Sequence, residues 1–183
     1  MIPDKTIIKY VEEGIIGLEP FQKNNVGPCS VDLTLASEFR VFKPGIVVDP
    51  RNADSINSNT IFIDTKGKPF TLSPNQFILA STVEKLSISK KFVALLEGKS
   101  SIARLGVVVH SAGLVNPGTG EENPATLVLE IFCMNNSPVL LYPGMKIIQI
   151  MFDELESEAS MGYDIRLSSK YVGQEGPAAP KFE

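Results

Sequence analysis

The stretch ATLVLEIFCMNN, residues 125–136, is a run of apolar and β-branched residues interrupted by one carboxylate, Glu130. In an extended strand successive side chains point to opposite faces, so Val128, Glu130 and Phe132 share one face. The other face, which carries Leu129, is entirely apolar. A carboxylate in this setting finds hydrogen-bond donors, has its pKa raised by desolvation, or points into a cavity. From this run alone, an edge strand with Glu130 in solvent and a functional acid are equal alternatives.

Segments with the same character recur at short spacing along most of the chain, separated by turn residues. This spacing predicts an antiparallel sandwich, jelly roll or barrel, and therefore a mainly β fold. Helical patterns occur in two places, DKTIIKYVEEG at residues 4–14 and KSSIARLG at residues 99–106. The other predicted strands are SVDLTLA (30–36), FRVF (39–42), TIFID (60–64), FTL (70–72), QFILAS (76–81), FVALLEG (92–98), GVVVHS (106–111) and KIIQIMF (146–152).

The last part of the chain, residues 154–183, breaks this pattern. It is rich in Ser, Gly, Pro and charged residues, a composition typical of a tail that is mobile until a ligand holds it. A length of 183 residues is enough for one domain with a real core, and no internal repeat divides the chain. We therefore expect a single domain over residues 1–183 that ends in this tail.

Composition and charge exclude several classes of protein. A hydrophobic fraction of 43% excludes a wholly disordered chain, and no apolar stretch is long enough to span a bilayer. The formal net charge of −4 argues against general binding to nucleic acid or to an anionic membrane, although a few local cations could still hold a small anion. Residues 1–14 lack the basic start and apolar core of a signal peptide, so a soluble, cytoplasmic protein is expected.

Few residues could bind a zinc ion. Cys29 and Cys133 are too few and too far apart for a disulfide framework, and they fit reduced, buried thiols. His110 is the one histidine, and there is no CxxC or HxE pair, so a zinc site is not expected. At the end of an apolar run, His110 fits a hydrogen-bonded structural residue better than a catalyst.

Three local clusters could carry chemistry, but each has a simpler explanation. In KSSIARLG, cations and hydroxyl groups gather at a helix start, which favours an anion, and the alternative is an ordinary capped turn. In HSAGLVNPG, residues 110–118, small residues leave room for a ligand, although a plain β-turn has the same pattern. In the tail, four residues could close over a ligand, although most tails bind none. These four are Tyr163, Lys170, Tyr171 and Gln174.

Taken in order along the chain, these motifs form a specific combination. SVDLTL, EGKSSIARLG, HSAG, TLVLE, PGMKIIQIMF and SKYVGQEGP together resemble the deoxycytidine triphosphate (dCTP) deaminase family, a branch of the dUTPase-like superfamily that includes bifunctional dCTP deaminase/dUTPases. The resemblance runs nearly end to end. It implies a dUTPase-like distorted β-barrel or jelly roll with an N-terminal helix, a short internal helix and a tail that closes over the nucleotide. It also implies a homotrimer whose active sites are shared between neighbouring subunits.

The resemblance assigns catalysis to Glu130. In the family, the matching acid activates a water for attack at C4 of cytosine and carries protons to N3 and to the departing amine, without a metal in the chemical step. Zinc-dependent deaminases instead need His and Cys ligands beside a separate Glu, and this chain could not build that site. Ser100 and Arg104 would position the water and the cytosine or contact phosphate oxygens. Mg²⁺ would be associated with the substrate triphosphate.

The resemblance also implies which residues bind the nucleotide. Lys99 stands where an Arg is usual, which keeps the charge but loses the bidentate fork. The backbone of Val128 and Leu129 would contact the pyrimidine edge, and the tail residues would hold the triphosphate. The full set is Lys99, Ser100, Ser101, Arg104, Asn116, Val128, Leu129, Gln149, Tyr163, Lys170 and Gln174.

Three features depart from the family pattern. Asn116 replaces the usual aspartate, and its amide can hydrogen-bond a ribose hydroxyl but cannot act as a base toward the water that splits a triphosphate. The turn that contains Ser111 is one residue shorter than usual, which affects the cytosine pocket and any feedback control. The loop PGTGEENPA, residues 117–125, is longer than usual, and its Glu121 and Glu122 are expected to be solvated.

Three functions remain open at this point. The first expectation is hydrolysis of dCTP to dUTP and ammonia, since none of the departures touches Glu130. The second is a bifunctional enzyme that converts dCTP to dUMP and pyrophosphate, which Asn116 disfavours. The third is a catalytically silent nucleotide-binding or regulatory module on the same scaffold, although such a module has little physical reason to keep an acid inside an apolar strand.

Overall fold

The computed structural model describes residues 1–110 and 112–182, and most of its regular structure is β-strand, which confirms the expected mainly β fold. The helices are α1 (Asp4–Glu12), α2 (Ala53–Ser58) and α3 (Ser100–Ala103). Within the described ranges, no helix is both long and apolar enough to cross a membrane. The strands are β1 (Ile16–Glu19), β2 (Val31–Thr34), β3 (Glu38–Phe42), β4 (Thr60–Asp64), β5 (Phe70–Leu72), β6 (Phe77–Ile88), β7 (Phe92–Gly98), β8 (Val107–His110), β9 (Leu114–Val115), β10 (Ala125–Cys133), β11 (Val139–Leu141) and β12 (Lys146–Glu154).

The strands form three antiparallel sheets. The largest has six strands, with β4-β3-β6-β10-β8 in order and β1 paired to β6 beside this path. The second has the order β2-β12-β7-β9, and β11 and β5 form a two-stranded sheet. Buried apolar side chains of the two larger sheets join in one continuous core, to which Phe39 of β3 and Phe152 of β12 contribute fully buried rings.

β10 lies inside the largest sheet, hydrogen-bonded to β6 on one side and to β8 on the other. Its side chains alternate as the sequence predicts, since Leu129 and Ile131 are fully buried whereas Val128 and Glu130 are half-buried. Burying each large apolar side chain stabilises the fold by about 1.5–3 kcal/mol. The register of the strand is therefore fixed by its apolar face, and this register turns Glu130 away from the core.

The pairing of β10 with β6 shifts register between Thr126 and Val128. At this point the backbone N–H of Leu127 donates a hydrogen bond to the hydroxyl of Thr82 (3.0 Å). Irregularities of this kind bend a strand and reorient its side chains, and they are common near functional sites. Here the shift lies immediately before the part of the strand that carries Glu130.

Several elements differ from the sequence predictions. The strand predicted at residues 76–81 is the start of β6, which runs for 12 residues, and buried and less buried positions alternate only in its second half. The elements β1, β9, β11 and α2 were not predicted. The two predicted helices are confirmed as α1 and α3. Ser111, expected at the end of a strand, lies outside the described residues.

The tail that follows β12 has no helix or strand in its described part, but it packs against the largest sheet. The backbone N–H of Thr126 on β10 donates to the carbonyl of Gln174 (3.1 Å), and the Gln174 amide donates back to the carbonyl of Thr126 (3.2 Å). Further along, Arg40 Nε on β3 donates to the carbonyl of Pro177 (2.9 Å). These bonds bring the tail across the sheet beside Glu130. Its mobility without a ligand stays a prediction.

Candidate active site

Glu130 points into a cavity of about 450 Å³, which we call the Glu130 cavity. Across the sheet it pairs with Leu79 on β6 and with His110 on β8. Because β10 has a neighbour on each side, the alternative of an edge strand with its acid in solvent is wrong. The cavity has the size of a small-molecule site.

The carboxylate of Glu130 is only partly satisfied. Its Oε2 atom is buried and has no hydrogen-bond partner among the described residues. Burial raises the pKa of this carboxyl above its ordinary value of 4.5, while its own backbone N–H, His110 and the backbone N–H of Ala112 lower the pKa by smaller amounts. A buried polar atom left unpaired costs about 1–3 kcal/mol, and such groups gather at functional sites. A raised pKa makes the ionised carboxylate a better proton acceptor, as a general acid/base requires.

The walls of the Glu130 cavity are largely apolar and aromatic. Phe42 of β3 and Phe77 of β6 lie together, with ring centroids 6.0 Å apart, and Leu79 lies beside the acid. Asn116 adds an amide. Among the described lining residues, Glu130 is the one charged group, and none is Lys or Arg. The cavity therefore suits an uncharged aromatic ring better than an anion.

The tail supplies another wall of the cavity. Tyr163, Tyr171 and Gln174 line it, and the backbone N–H of Tyr171 donates to the hydroxyl of Tyr163 (3.4 Å). Two of the predicted tail residues, Tyr163 and Gln174, are thus at the cavity. Lys170 is not among the lining residues, and its carbonyl accepts a hydrogen bond from Lys181 Nζ (2.9 Å).

Asp164 ties the long loop at residues 117–125 to the tail. Its carboxylate accepts hydrogen bonds from the backbone N–H groups of Gly120 (3.1 Å), Glu122 (3.1 Å) and Asn123 (3.2 Å). Because Asp164 directly follows the first tail tyrosine of the cavity, this contact also fixes the start of the tail. Both glutamate side chains of the loop are exposed, as predicted.

A second group of predicted residues does not line the cavity. We call this group the α3 cluster: Lys99, Ser100, Ser101 and Arg104. Lys99 forms an ion pair with Asp32 of β2, whose other carboxylate oxygen lies 3.2 Å from Lys146 Nζ. Arg104 Nε donates to the hydroxyl of Ser100 (3.4 Å), and both residues are exposed. Within one chain, the predicted site therefore falls into two separate parts.

Two further predicted residues lie away from the cavity. Leu129 is fully buried, because the alternation along β10 turns it to the face opposite Glu130. Its side chain therefore cannot contact a nucleotide, and only its backbone could do so. Gln149 of β12 lies in the other large sheet, where its side-chain oxygen accepts a hydrogen bond from Ser30 (3.1 Å). Val128, by contrast, lines the cavity.

Sequence reasoning missed several residues that line the cavity, among them Phe42, Phe77 and Thr126. The two phenylalanines belong to strands distant from β10 in the sequence, and local patterns do not reveal which distant strands pair. Thr126 could have been found, because the alternation of the strand places it on the same face as Glu130.

Comparison with known proteins gives a consistent family assignment. A family model described as dCTP deaminase-like matches residues 1–155. A protein from Dictyoglomus thermophilum named "dCTP deaminase, dUMP-forming" is 38% identical over 187 residues, which cover 100% of this chain and 94% of the relative. A protein of the same name from Corynebacterium glutamicum (strain R) is 38% identical over 186 residues, covering 99% of this chain and 95% of the relative.

A solved structure has a similar fold. The crystal structure of 2′-deoxycytidine 5′-triphosphate deaminase from Agrobacterium tumefaciens matches 82% of this chain with a TM-score of 0.65 and 21% sequence identity. The match covers 47% of that chain, so the present chain spans about half of its length. At this level of identity, the likeness supports the fold alone.

Proposed function

The chain belongs to the dCTP deaminase-like family, and we propose on this premise that it is an enzyme that hydrolyses the exocyclic amine of dCTP, with Glu130 as general acid/base. The observation that carries this function is the buried Oε2 atom of Glu130, which has no hydrogen-bond partner among the described residues and lies inside a cavity with aromatic walls. The walls suit a cytosine ring, and the acid suits the proton transfers that attack by water on the ring requires.

In the proposed reaction, the ionised carboxylate of Glu130 takes a proton from a water as the water oxygen bonds to C4 of cytosine. That proton passes to N3. Glu130 then transfers the remaining hydroxyl proton to the amino group, the C4–N bond breaks, and ammonia leaves as the C4 carbonyl forms. Burial raises the pKa of Glu130, which makes the ionised carboxylate a stronger base toward the water.

The names of the relatives favour dUMP as the final product. The dUTP expected first from the sequence is then an intermediate, and a second hydrolysis releases pyrophosphate. Asn116 lines the Glu130 cavity, where its amide can orient a hydroxyl group or a water but cannot accept a proton. The base for this second step is therefore another group. The bifunctional reaction is the better supported of the two, and dUTP as end product is the less well supported.

The triphosphate needs cations that the cavity lacks among its described lining residues. The α3 cluster carries two cations outside the cavity of its own chain. In the proposed assembly, a homotrimer, the α3 cluster of one subunit completes the Glu130 cavity of its neighbour, and Lys170 joins from the tail. The separation of the two parts within one chain supports this arrangement, and a symmetric trimer would contain three identical sites.

Mg²⁺ accompanies the substrate in this proposal, bound to triphosphate oxygens. Asp32, the carboxylate beside the α3 cluster, is already engaged by Lys99 and Lys146. Asp32 is therefore not proposed as a Mg²⁺ ligand, and the α3 cluster is proposed to hold phosphate oxygens.

The direct test is to incubate the protein with dCTP, and separately with dUTP, in the presence of Mg²⁺, and to resolve dUTP, dUMP, ammonia and pyrophosphate. We expect ammonia and pyrophosphate in equal amounts from dCTP. Ammonia without pyrophosphate would leave the deamination standing and reject the dUMP-forming step. Tight binding of dCTP with neither product would instead identify a catalytically silent module.

Glu130→Gln separates the chemistry from substrate binding. Glutamine keeps the shape of the side chain but cannot exchange a proton, so we expect ammonia release to fall by at least roughly 100-fold. Binding of dCTP, measured by calorimetry, should change little. The matched control is Glu97→Gln, at an exposed position of β7. A Glu130→Gln protein that kept most of its ammonia release would overturn the assignment.

A further inference from the structure

A second cavity, of about 620 Å³, lies next to the Glu130 cavity. Its lining residues come from β3, from the segment 50–57 that runs into α2, and from tail residues 179–182. Pro180 lines both cavities, so this part of the tail separates them. The reaction proposed above makes no use of this second cavity.

The charges of the two cavities are opposite. Arg40, Arg51 and Lys181 line the second cavity, and no carboxylate is among its lining residues in the part of the chain that the structure describes. We call it the basic cavity. Three cations around one space repel one another unless an anion joins them, so the arrangement favours a negatively charged ligand.

Arg40 is held in a fixed orientation at the basic cavity. Its Nε donates to the carbonyl of Pro177 (2.9 Å), its Nη1 donates to the hydroxyl of Thr60 (2.9 Å), and its guanidinium carbon lies 6.0 Å from the ring centroid of Phe62. A guanidinium group has five N–H donors in a planar fork, so these contacts leave donors for a ligand. A fixed fork of this kind suits the oxygens of a phosphate.

Lys181 and Arg51 can adjust to a ligand. Lys181 Nζ donates to the carbonyl of Lys170 (2.9 Å) and lies 5.6 Å from the ring centroid of Tyr171, which leaves N–H donors for an anion. The side chain of Arg51 is 90% exposed, and its Nε lies 3.4 Å from Asp49 Oδ1. Exposed pairs of this kind contribute little energy, so Arg51 can turn to an incoming anion.

We propose that the basic cavity binds a phosphate-bearing anion that bridges Arg40 and Arg51 to Lys181. Because Lys181 belongs to the tail, the bound anion holds the tail against the sheet. Apolar groups such as Ile56 and Phe182 also line the cavity, so it can take either inorganic pyrophosphate or the phosphate end of a nucleotide. This binding does not depend on the deamination proposed above.

Anion binding at the basic cavity also affects the Glu130 cavity. Arg40 and Glu130 both pair with Leu79, from opposite sides of β6, so they lie on one face of the sheet. Two strand spacings separate them, a distance of about 10 Å. A tail that an anion fixes over Arg40 is therefore also fixed over Glu130. The bound anion thus stabilises the closed position of the tail.

The test is calorimetric titration of inorganic pyrophosphate into the full chain. The parent protein carries Arg104→Ala, so that the α3 cluster contributes little to the signal. Adding R51A/K181A removes two cations without disturbing Arg40, and we expect the affinity to fall by roughly tenfold or more. The control K5A/K68A removes the same charge from exposed positions outside both cavities, and the affinity should change by less than about twofold. Equal affinities in the two double variants would overturn the proposal.

Two further measurements identify the ligand and the effect on the tail. Titration of dUMP shows whether a nucleotide phosphate binds the basic cavity more tightly than pyrophosphate. Only the binding that the parent shows and R51A/K181A lacks is assigned to the basic cavity. Hydrogen exchange of residues 174–182 should slow when pyrophosphate is added to the parent, and should not slow in R51A/K181A. Hydrogen exchange that stays unchanged in the parent would contradict the proposal that the bound anion holds the tail.

Discussion

The Glu130 cavity and the α3 cluster hold the two halves of the predicted site, and they are built in opposite ways. The cavity encloses an acid whose buried oxygen has no hydrogen-bond partner in the part of the chain that the structure describes, and the walls named above come from one chain. The α3 cluster lies at the surface, and its Lys99 is already paired with Asp32. One chain thus encloses the acid proposed for proton transfer, whereas the cations proposed to bind phosphate lie outside that cavity. The difference predicts that mutations can separate the two halves, both in kinetics and between subunits.

The largest effect is expected when two inactive variants are combined. Glu130→Gln lacks the acid, and Lys99→Ala/Arg104→Ala lacks the phosphate cations. If each site joins one part from each of two subunits, a site is intact only when both parts come from the right variant. After joint refolding of an equal mixture, about a quarter of the sites should be intact. At a dCTP concentration well below the wild-type KM, where loss of the cations also suppresses turnover, ammonia release should rise from near zero to about a quarter of the wild-type rate.

The control for this experiment is each variant refolded alone, which should stay inactive. If both halves belonged to one chain, the mixed protein would also stay inactive. That result would contradict the proposal of a shared site. It would not affect the role of Glu130, which the Glu130→Gln assay tests separately.

A smaller effect is expected for Arg104→Ala alone. A hydrogen bond to a charged group is worth roughly 1.5–3 kcal/mol, so the KM for dCTP should rise by about 10- to 100-fold, with a smaller fall in kcat. The measurement is steady-state ammonia release against dCTP concentration. Arg166→Ala removes the same charge from an exposed tail position and should leave KM nearly unchanged. A fall in kcat with an unchanged KM would place Arg104 with the chemistry instead of the phosphate.

The smallest effect is a gain in stability for Glu130→Gln. Burial raises the pKa of Glu130 in the folded state, so ionising this carboxyl destabilises the fold once the pH exceeds its ordinary value of 4.5. Gln cannot ionise, so at pH 7 the variant should melt above the wild type, by about 2–4 °C for each kcal/mol gained in a domain of this size. The difference should vanish as the pH falls below the ordinary pKa.

Thermal unfolding at several pH values, at one protein concentration, measures this gain. Glu97→Gln, where the carboxylate is exposed, should show no comparable gain at pH 7. A Glu130→Gln protein that melted below the wild type at neutral pH would show that the carboxylate stabilises the fold.

Much of the fold could be predicted from the sequence, because its strongest signals are local. The alternation in residues 125–133 is such a signal, and it correctly separates Leu129 from Glu130. The tail residues and the resemblance of the motifs both indicated Tyr163 and Gln174, which line the cavity. It also led to an expectation of dUTP as the product, whereas the names of the relatives favour dUMP.

The remaining features depend on contacts between distant parts of the chain, which local patterns do not contain. Phe42 reaches the Glu130 cavity only because β3 and β10 both pair with β6. Asp32 meets Lys99 through the pairing of β2, β12 and β7 in one sheet. That the cavity and the α3 cluster lie apart is likewise a property of the folded chain, and no motif spacing predicts it.

The three hydrogen bonds that Asp164 accepts restrict which changes in the length of the loop at residues 117–125 an engineered variant can tolerate. An inserted or deleted residue between Gly118 and Ala125 would carry some of the bonded N–H groups away from this carboxylate. The neighbouring Tyr163 would then keep its backbone hydrogen bond to the Pro117 carbonyl (2.8 Å) but lose the support of Asp164 beside the cavity. Transfer of this loop into a relative must therefore include the Tyr163–Asp164 pair, because the loop and this pair are hydrogen-bonded to each other.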